Sequence, residues 1–364
     1  MSIPKFDNAE LEAVFETPPF GASPGMKFYK TPVTAHDGIA ALFQKKPLWQ
    51  VIEHAEFRMF TPRVVPDNVA RAFCFEARPF DANKEGGGSD MFGIIWEYVA
   101  QVGGSMVRPG KPFLEDISEW KEKVVFPDID KWDWEGAAKA NNGTYLQPDN
   151  FNVVWFQTGF YERLISLLDF EGAVLAVFDE DSQADVHEFF DKLTDLYIRI
   201  FDKYLTYFDH IHAVYFHDDW GSQKETFFSP SVAEEMIVPY MKRITEFLHS
   251  KGIFAELHSC GQLYKQVPNM IKAGWDAWGP QTMNDSYKIY DDYGDKIIIA
   301  VTPQGLPENF AKLPEEEQRK YAREFADRFA RPDKPSMFNF YGAQYLTPAF
   351  REELYIRSRE NYSK

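Results

Sequence analysis

The chain has 364 residues, of which 45% are hydrophobic and 26% charged, so it is long enough to bury a large core. Its formal net charge of −17 argues against nucleic acids and anionic membranes as main partners, and no apolar run is long enough to span a bilayer. The polar, acidic start is unlike a signal peptide, and the two distant cysteines, Cys74 and Cys260, form no disulfide framework, so we expect a cytoplasmic protein.

The first third of the chain is predicted to be irregular. Prolines and glycine interrupt residues 1–48, which favours an N-terminal arm with one short helix at residues 35–45. Two strand-like runs follow at residues 49–60 and 71–78. Further short elements are predicted at residues 90–101, 114–121 and 134–141.

From residue 151 onwards, predicted strands and helices alternate regularly. Apolar residues recur at helical spacing in the longest segment, whereas short apolar runs that end in polar residues indicate strands. The predicted strands cover residues 152–158, 213–217, 252–258, 277–279, 296–301 and 337–341. The predicted helices cover residues 160–168, 184–207, 231–251, 264–273, 287–293, 314–330 and 347–361.

This alternation indicates βαβ units and therefore a parallel sheet. Six predicted strands, without a dinucleotide-binding fingerprint, favour an α/β fold of the (β/α)8 TIM-barrel type over a doubly wound sheet. We expect an N-terminal arm of residues 1–60 packed on one barrel of residues 61–364. Active sites of such barrels lie at the carboxyl ends of the strands. Those ends carry Gln157, Thr158, His217, Asp218, Asp219, His258, Cys260, Gln281, Thr302, Tyr341 and Gln344.

One strand end offers a pair of metal ligands. Residues two apart on a strand face the same side, so His258 and Cys260 are expected to point together. Imidazole and thiolate are ligands that zinc favours, although an ordinary buried thiol beside a hydrogen-bonded histidine is the alternative interpretation. Glu256 lies on the same strand face and completes the predicted metal set. Because catalytic zinc usually takes three protein ligands, the strand ends also offer His217, Asp218 and Asp219.

The neighbouring strand end carries the predicted catalytic residues His217, Asp218 and Asp219. Consecutive carboxylates can bind a cation or a ligand amine, or act as acid and base. Because adjacent side chains of a strand point to opposite sides, only one of the two carboxylates is expected to face the site. Helix capping and a salt bridge to the barrel wall are the alternative interpretation.

Substrate contacts are predicted at other strand ends, from Gln157, Gln281 and Tyr341. Aromatic residues make up 16% of the chain, which suits an aromatic pocket. A phenylalanine-rich core is the better explanation for most of these residues.

Several short motifs follow one another in the second part of the chain, at residues 216–223 (FHDDWGSQ), 229–230 (SP), 239–240 (PY), 258–261 (HSCG), 274–276 (GWD) and 280–281 (PQ). Taken together, they resemble the uroporphyrinogen decarboxylase-like superfamily, in which the same motifs occur in the same order. The resemblance spans about residues 150–345. The resemblance implies a (β/α)8 barrel, in agreement with the alternation of elements.

One branch of that superfamily contains the decarboxylases, which grip substrate carboxylates with an N-terminal arginine-rich segment. Residues 46–49 resemble the start of that segment, but the arginine signature after it is missing. Arg58 and Arg63 are the nearest basic residues, and we expect them to contact substrate.

The other branch contains the corrinoid-linked methyltransferases, which hold zinc with His-x-Cys and a later cysteine. His258 and Cys260 resemble the first two ligands, whereas Met337 and Tyr341 lie near the last predicted strand, where no cysteine follows. The resemblance thus implies a zinc-dependent methyltransferase that moves methyl groups between a small molecule and a cobalamin cofactor on a partner protein. O-demethylation of the small molecule is one reaction of this type.

Two other functions stay open. The first is decarboxylation of a tetrapyrrole or another polycarboxylate, with Asp218 or Asp219 stabilising a protonated pyrrole. The second is a non-catalytic barrel that binds a corrinoid or tetrapyrrole. In each case the ligand is a small molecule, and a homodimer is an alternative to a monomer.

Overall fold

The computed structural model of the protein describes residues 4–18, 24–101 and 103–363. The chain folds into two compact units, each built from non-contiguous segments. The first unit comprises Met1–Phe57, Pro148–Phe151 and Asp276–Lys364, and the second comprises Arg58–Gln147 and Asn152–Trp275. The expected division into an arm of residues 1–60 and a barrel of residues 61–364 stays a prediction.

The strands of the described residues are numbered in chain order. They are β1 (Ala13–Thr17), β2 (Met26–Tyr29), β3 (Arg58–Phe60), β4 (Gly88–Ser89), β5 (Ile95–Val99), β6 (Gly104–Val107), β7 (Asn152–Phe156), β8 (Ile211–His217), β9 (Phe254–His258), β10 (Ala277–Trp278), β11 (Ile298–Val301) and β12 (Ser336–Phe338).

The α-helices are numbered in the same way, and short 3-10 turns occur between them. The helices are α1 (Ala35–Phe43), α2 (Pro66–Ala70), α3 (Ala82–Glu85), α4 (Trp120–Lys123), α5 (Trp134–Asn141), α6 (Phe160–Phe178), α7 (Glu180–Tyr207), α8 (Pro230–Met236), α9 (Val238–Ser250), α10 (Val267–Lys272), α11 (Ser286–Tyr293), α12 (Glu315–Phe329) and α13 (Pro348–Tyr362). The 3-10 turns cover Asn8–Leu11, Ile117–Glu119, Ile129–Lys131, Tyr264–Gln266, Phe310–Lys312 and Phe340–Tyr345.

A parallel sheet in the order β3-β7-β8-β9 organises the second unit. Helices α6 and α7 connect β7 to β8, and α8 and α9 connect β8 to β9. Phe156 of β7 is level with Phe216 of β8, and His217 of β8 is level with His258 of β9. The carboxyl ends of these strands therefore meet at one edge of the sheet.

The two faces of this sheet are chemically different because successive side chains alternate. On one face, Phe156 packs against Phe201 of α7 and against Phe216, with ring centroids 4.9 and 5.4 Å apart. On the other face, Trp155 and Tyr215 lie 6.0 Å apart. The second face leads directly to the polar residues at the strand ends.

The longest helix, α7, follows the predicted periodicity. Its buried side includes Phe189, Leu193, Tyr197 and Ile200, which recur three or four residues apart. Among the described residues, no helix is both long and apolar enough to cross a membrane.

The first unit contains the parallel strands β10, β11 and β12, with α11 and α12 as the connecting helices. Strands β1 and β2 form an antiparallel hairpin in the same unit. The 3-10 turn near the N-terminus is held to α13 by Glu10, whose Oε2 lies 2.8 Å from Arg359 Nε. The alternation of strands and helices predicted from residue 151 onwards is thus confirmed, and the fold is mixed α/β with parallel strands.

Three predicted elements differ from the structure. Residues 71–78 form turns and bends, because Ala72 adopts a left-handed backbone conformation with a φ of 66°. The backbone of this segment pairs with Thr61, whose N–H donates to Phe75 O. Residues 49–60 contain β3 and an isolated parallel bridge between Ile52 and Phe338, because His54, between Ile52 and β3, has a φ of 57° and interrupts the extended backbone. The single helix predicted at 231–251 is divided into α8 and α9 at Ile237, two residues before Pro239, whose missing N–H disfavours a continuous helix.

Candidate functional site

The carboxyl ends of β8 and β9 bring two histidines together. His217 and His258 are the last residues of the two strands and are paired in register. The backbone continues the pairing, because Asp218 N donates to His258 O at 3.0 Å. The imidazole centroids lie 4.3 Å apart with an interplanar angle of 73°. The rigid sheet thus fixes the distance between the two rings.

Asp219 and Cys260 complete this cluster from the loops that follow the strands. Asp219 Oδ1 lies 3.2 Å from His217 Nε2 and 3.6 Å from His258 Nε2, and it accepts a hydrogen bond from Cys260 N at 2.7 Å. Cys260 Sγ lies 3.2 Å from His258 Nε2. The ligand atoms of His217, Asp219 and His258 all lie within 4.8 Å of one another.

The adjacent carboxylate, Asp218, faces the other side of the strand. It is fully buried and accepts hydrogen bonds from Tyr161 N at 3.2 Å, Glu162 N at 2.9 Å and Trp220 Nε1 at 3.0 Å. These donors include the first backbone amides of α6, which have no partner within the helix. A Cβ atom at Gly159 would lie 2.4 Å from Asp218 Cβ, so this close approach requires glycine. Asp218 therefore anchors the start of α6, and only Asp219 joins the histidines.

The charges of the cluster reinforce one another. Burial opposes ionisation of Asp219, but the adjacent rings of His217 and His258 outweigh it and hold the pKa of this carboxyl well below its usual range. Burial also opposes protonation of His217, and the carboxylates of Glu162 and Asp219 outweigh it and raise the pKa of the imidazole. Asp219 is therefore an anion at neutral pH.

The donor set fits a zinc ion. Two imidazoles, a carboxylate and a thiol are all zinc ligands, and the first three already converge. Both ring nitrogens of His217 are buried, and neither makes a well-aligned hydrogen bond within the described part of the chain, although Nε2 lies 3.2 Å from Asp219 Oδ1. A metal ion between Nε2 and this carboxylate would satisfy both groups.

Comparisons with known proteins find similarity in the part of the chain that carries the cluster. Residues 169–302, which contain all four members of the cluster, match the sequence model of the family described as Uroporphyrinogen decarboxylase (URO-D). A solved structure, a methyltransferase from Methanosarcina mazei, is similar over 91% of this chain and 100% of that chain, with a TM-score of 0.55 and 14% identity. This part of the chain is therefore similar to the uroporphyrinogen decarboxylase family.

The resemblance seen in the sequence is thereby confirmed over residues 169–302. At 14% identity, the likeness to the methyltransferase concerns the fold. A D-psicose 3-epimerase crystallised in the presence of D-fructose covers 67% of this chain and 84% of its own, at 10% identity and a TM-score of 0.29, too low to indicate a common fold. No curated protein matches the chain in sequence.

The remaining predicted residues lie in several places. Gln157, at the end of β7, donates to Phe73 O at 3.1 Å. Glu256 is buried on β9, and it is not among the three side chains whose ligand atoms converge, which are His217, Asp219 and His258. In the first unit, Gln281 Nε2 lies 3.3 Å from Tyr341 Oη, so these two predicted substrate contacts are neighbours.

The structure does not bring the two arginines to the cluster. Arg58 is exposed at the first position of β3, level with the first residue of β7, and therefore at the opposite end of the sheet. Its guanidinium lies over the Tyr145 ring at 5.1 Å. Arg63 forms ion pairs with Glu76 and Glu85.

Sequence reasoning missed three residues that surround the cluster. Tyr215 Oη contacts His258 Nδ1 at 2.6 Å, and its position two residues before His217 is a signal for the same strand face. Glu162 Oε1 lies 3.8 Å from His217 Nε2 and 3.2 Å from Arg71 Nη1. Arg71 has no comparable signal, because it follows α2 and reaches the site only through tertiary packing.

Proposed function

We propose that the protein is a zinc-dependent methyltransferase that exchanges methyl groups between a small molecule and a corrinoid carried by a partner protein. The observation that carries this proposal is the convergence of His217, Asp219 and His258, with Cys260 Sγ 3.2 Å from His258 Nε2. The methyltransferase from Methanosarcina mazei, which is similar in fold, supports the same reaction class.

The proposed fold is a (β/α)8 barrel with an N-terminal extension. Parallel strands joined by helices in both units support it, as does the fold likeness over 91% of the chain. In such a barrel the carboxyl ends of the strands form the site, which is where the histidine cluster lies.

The proposed ligands of zinc are His258 and Cys260, together with Asp219 and His217. The first two occupy the positions of the His-x-Cys motif of the methyltransferase branch. Asp219 and His217 would replace the later cysteine, which this chain lacks. Among the described residues, the nearby Glu256 carboxylate is not part of the convergent set, so Asp219 is the better carboxylate ligand.

A bound zinc ion lowers the pKa of a coordinated thiol or water and polarises an ether oxygen at neutral pH. The chain's own residues prepare the site for such a ligand. Asp219 supplies a fixed negative charge next to two imidazoles, and the backbone N–H of Cys260 orients that carboxylate. Cys260 is half-buried, so its thiol is within reach of a ligand. Gln157, Gln281 and Tyr341 remain proposed substrate contacts.

Metal content tests this proposal directly. Wild-type protein purified without chelator should contain stoichiometric zinc, and the His258→Ala and Cys260→Ala variants should lose it. The matched control is Cys74→Ala, since Cys74 is the other cysteine of the chain and burial raises the pKa of its thiol to about 12. Wild-type protein that neither retains nor takes up zinc would contradict the zinc site.

Methyl transfer is tested separately. Methylcobalamin and 2-mercaptoethanol are incubated with the zinc-loaded protein. The amount of methyl thioether formed is compared with the amount of methylcobalamin consumed, which is followed by the loss of its absorption. We expect the two amounts to be equal with wild-type and Cys74→Ala protein, and no methyl thioether with Cys260→Ala protein.

Decarboxylation is the second candidate, because the matching family model describes uroporphyrinogen decarboxylase. A polycarboxylate substrate needs cationic partners. Arg63 is already paired with Glu76 and Glu85, and Arg58 lies at the other end of the sheet, which disfavours this candidate. Decarboxylation of uroporphyrinogen by wild-type protein, retained after His258→Ala and Cys260→Ala, would favour it over methyl transfer.

A further inference from the structure

Behind the proposed zinc ligands, a tyrosine hydroxyl contacts the far nitrogen of His258. Tyr215 Oη lies 2.6 Å from His258 Nδ1, and the two rings meet edge to face with centroids 5.5 Å apart. Both residues are buried. His258 Nε2 faces the other way, towards Cys260 Sγ at 3.2 Å and Asp219 Oδ1 at 3.6 Å. One ring nitrogen thus meets the hydroxyl while the other lies among the proposed ligands.

Only one tautomer of His258 can bind a metal through Nε2. A neutral imidazole carries its proton on one nitrogen, so Nε2 has a free lone pair only when Nδ1 bears the hydrogen. In that tautomer, Nδ1–H donates to Tyr215 Oη. In the other tautomer, the tyrosine O–H donates to Nδ1, and Nε2–H points towards the thiol. A hydroxyl can accept as well as donate, so the metal-binding tautomer keeps its hydrogen bond.

The sheet itself holds this contact. Tyr215 is paired in register with Glu256, and His217 is paired with His258 two positions further along the strands. Tyr215 and His258 are therefore diagonal neighbours on one face of two adjacent parallel strands, within reach of a long side chain. Because no loop intervenes, the hydroxyl is placed as rigidly as the histidine.

On the basis of the proposed zinc site, we infer that Tyr215 is a positioning residue for the metal. It fixes the orientation of the His258 ring and accepts Nδ1–H, so that Nε2 is presented to zinc as a lone-pair donor. Partners of this kind, behind a metal-bound histidine, tune metal affinity by about 10–100-fold.

The test compares zinc affinities of Tyr215→Phe and wild-type protein, measured by competition with a chromogenic chelator. We expect the variant to bind zinc about 10–100-fold more weakly. Nitrogen-15 NMR of zinc-loaded wild-type protein labelled at histidine should show His258 protonated at Nδ1. The matched control is Tyr145→Phe, which removes a hydroxyl that donates to Met59 O at 2.7 Å in the same unit, and should bind zinc as wild type does.

The outcomes separate this inference from the function on which it rests. If Tyr215→Phe binds zinc with an affinity within about twofold of wild type, the positioning role is wrong while the zinc site stands. The same holds if both phenylalanine variants lower the melting temperature but leave zinc affinity unchanged. If wild-type protein binds no zinc, the proposed function fails first and this inference fails with it.

Discussion

Asp218 and Asp219 are adjacent in the chain, yet their carboxylates face different surroundings. Asp218 accepts hydrogen bonds from three N–H groups, two of which belong to the first turn of α6. Asp219 Oδ1 lies between the Nε2 atoms of His217 and His258. Alternation along the chain thus assigns one carboxylate to the scaffold and the other to the site.

This division predicts opposite effects for two matched substitutions. Asp219→Asn should lower zinc affinity at least about tenfold, because even partners that do not touch the metal contribute that much. Asp218→Asn should leave zinc affinity unchanged and lower the free energy of unfolding by about 1–3 kcal/mol, because an amide accepts fewer of the three buried donors. Zinc competition and urea denaturation measure the two quantities, and the reverse pattern would contradict the assignment.

Helix α6 also connects the site to the interior of the second unit through a buried ion-pair network. Arg163 Nη1 lies 2.6 Å from Asp90 Oδ2, and Nη2 contacts Asp67 Oδ1. The arginine side chain is 0% exposed, so both ion pairs are shielded from water. Charges at such positions require complete pairing.

Arg163→Met should therefore lower the free energy of unfolding by about 3–5 kcal/mol, because Asp67 and Asp90 lose their cationic partner in the interior. Arg243→Met is the matched control, because Arg243 also pairs with two carboxylates, Asp191 and Asp195, but at the surface. The control substitution should lower the free energy of unfolding by less than about 1 kcal/mol. If urea denaturation gave equal decreases for the two variants, burial would not explain the contribution of the Arg163 ion pairs to stability.

The 3-10 turn near the N-terminus contacts α13 through the carboxylate of Glu10, whose charge depends on pH. Burial opposes ionisation of Glu10, but hydrogen bonds from Arg359 and Tyr355 outweigh it and lower the pKa of this carboxyl below its ordinary value of 4.5. A group whose pKa is lower in the folded state stabilises the fold above its ordinary pKa, and this stabilisation disappears as the pH falls through the folded value.

Glu10→Gln should consequently lower the free energy of unfolding by about 2 kcal/mol at pH 7, as expected for hydrogen bonds to a charged group. The difference between variant and wild type should shrink as the pH falls below 4.5. Glu12→Gln, at an exposed pair with Lys30, should have little effect at either pH. A pH-independent difference, measured by urea denaturation, would contradict the role of the charge.

For the molecule as a whole, a metal that binds only the folded state shifts the unfolding equilibrium. Free zinc at 100 times its dissociation constant should stabilise the protein by about 2.7 kcal/mol. The melting temperature should therefore rise with zinc and fall with a chelator in wild-type and Cys74→Ala protein. In His217→Ala protein the zinc-dependent rise should be smaller. Identical melting temperatures of the wild type in zinc and in chelator would contradict a zinc site in the folded protein.

Much of the architecture was predictable because its signals are local. The strand ending at His217, the strand ending at His258 and the helical spacing in α7 all follow from side-chain periodicity. The incorrect strand at residues 71–78 shows the limit, since a left-handed residue in that segment overrides its apolar pattern. The break at Ile237 was missed for a similar reason, because apolar periodicity continues across it.

The chain alone predicted that His258 and Cys260 point together, and their side chains do meet, although Cys260 lies in the loop after β9. It also placed Asp218 and Asp219 at a strand end, and it left open which of them joins the site. The tertiary fold decides this, because backbone amides at the start of α6 donate to Asp218, whereas Asp219 lies next to the histidines. Tyr215 and Glu162 enter the site in the same way, through strand register and helix packing between residues far apart in the chain. Such contacts depend on which segments meet in space, and no local pattern encodes that.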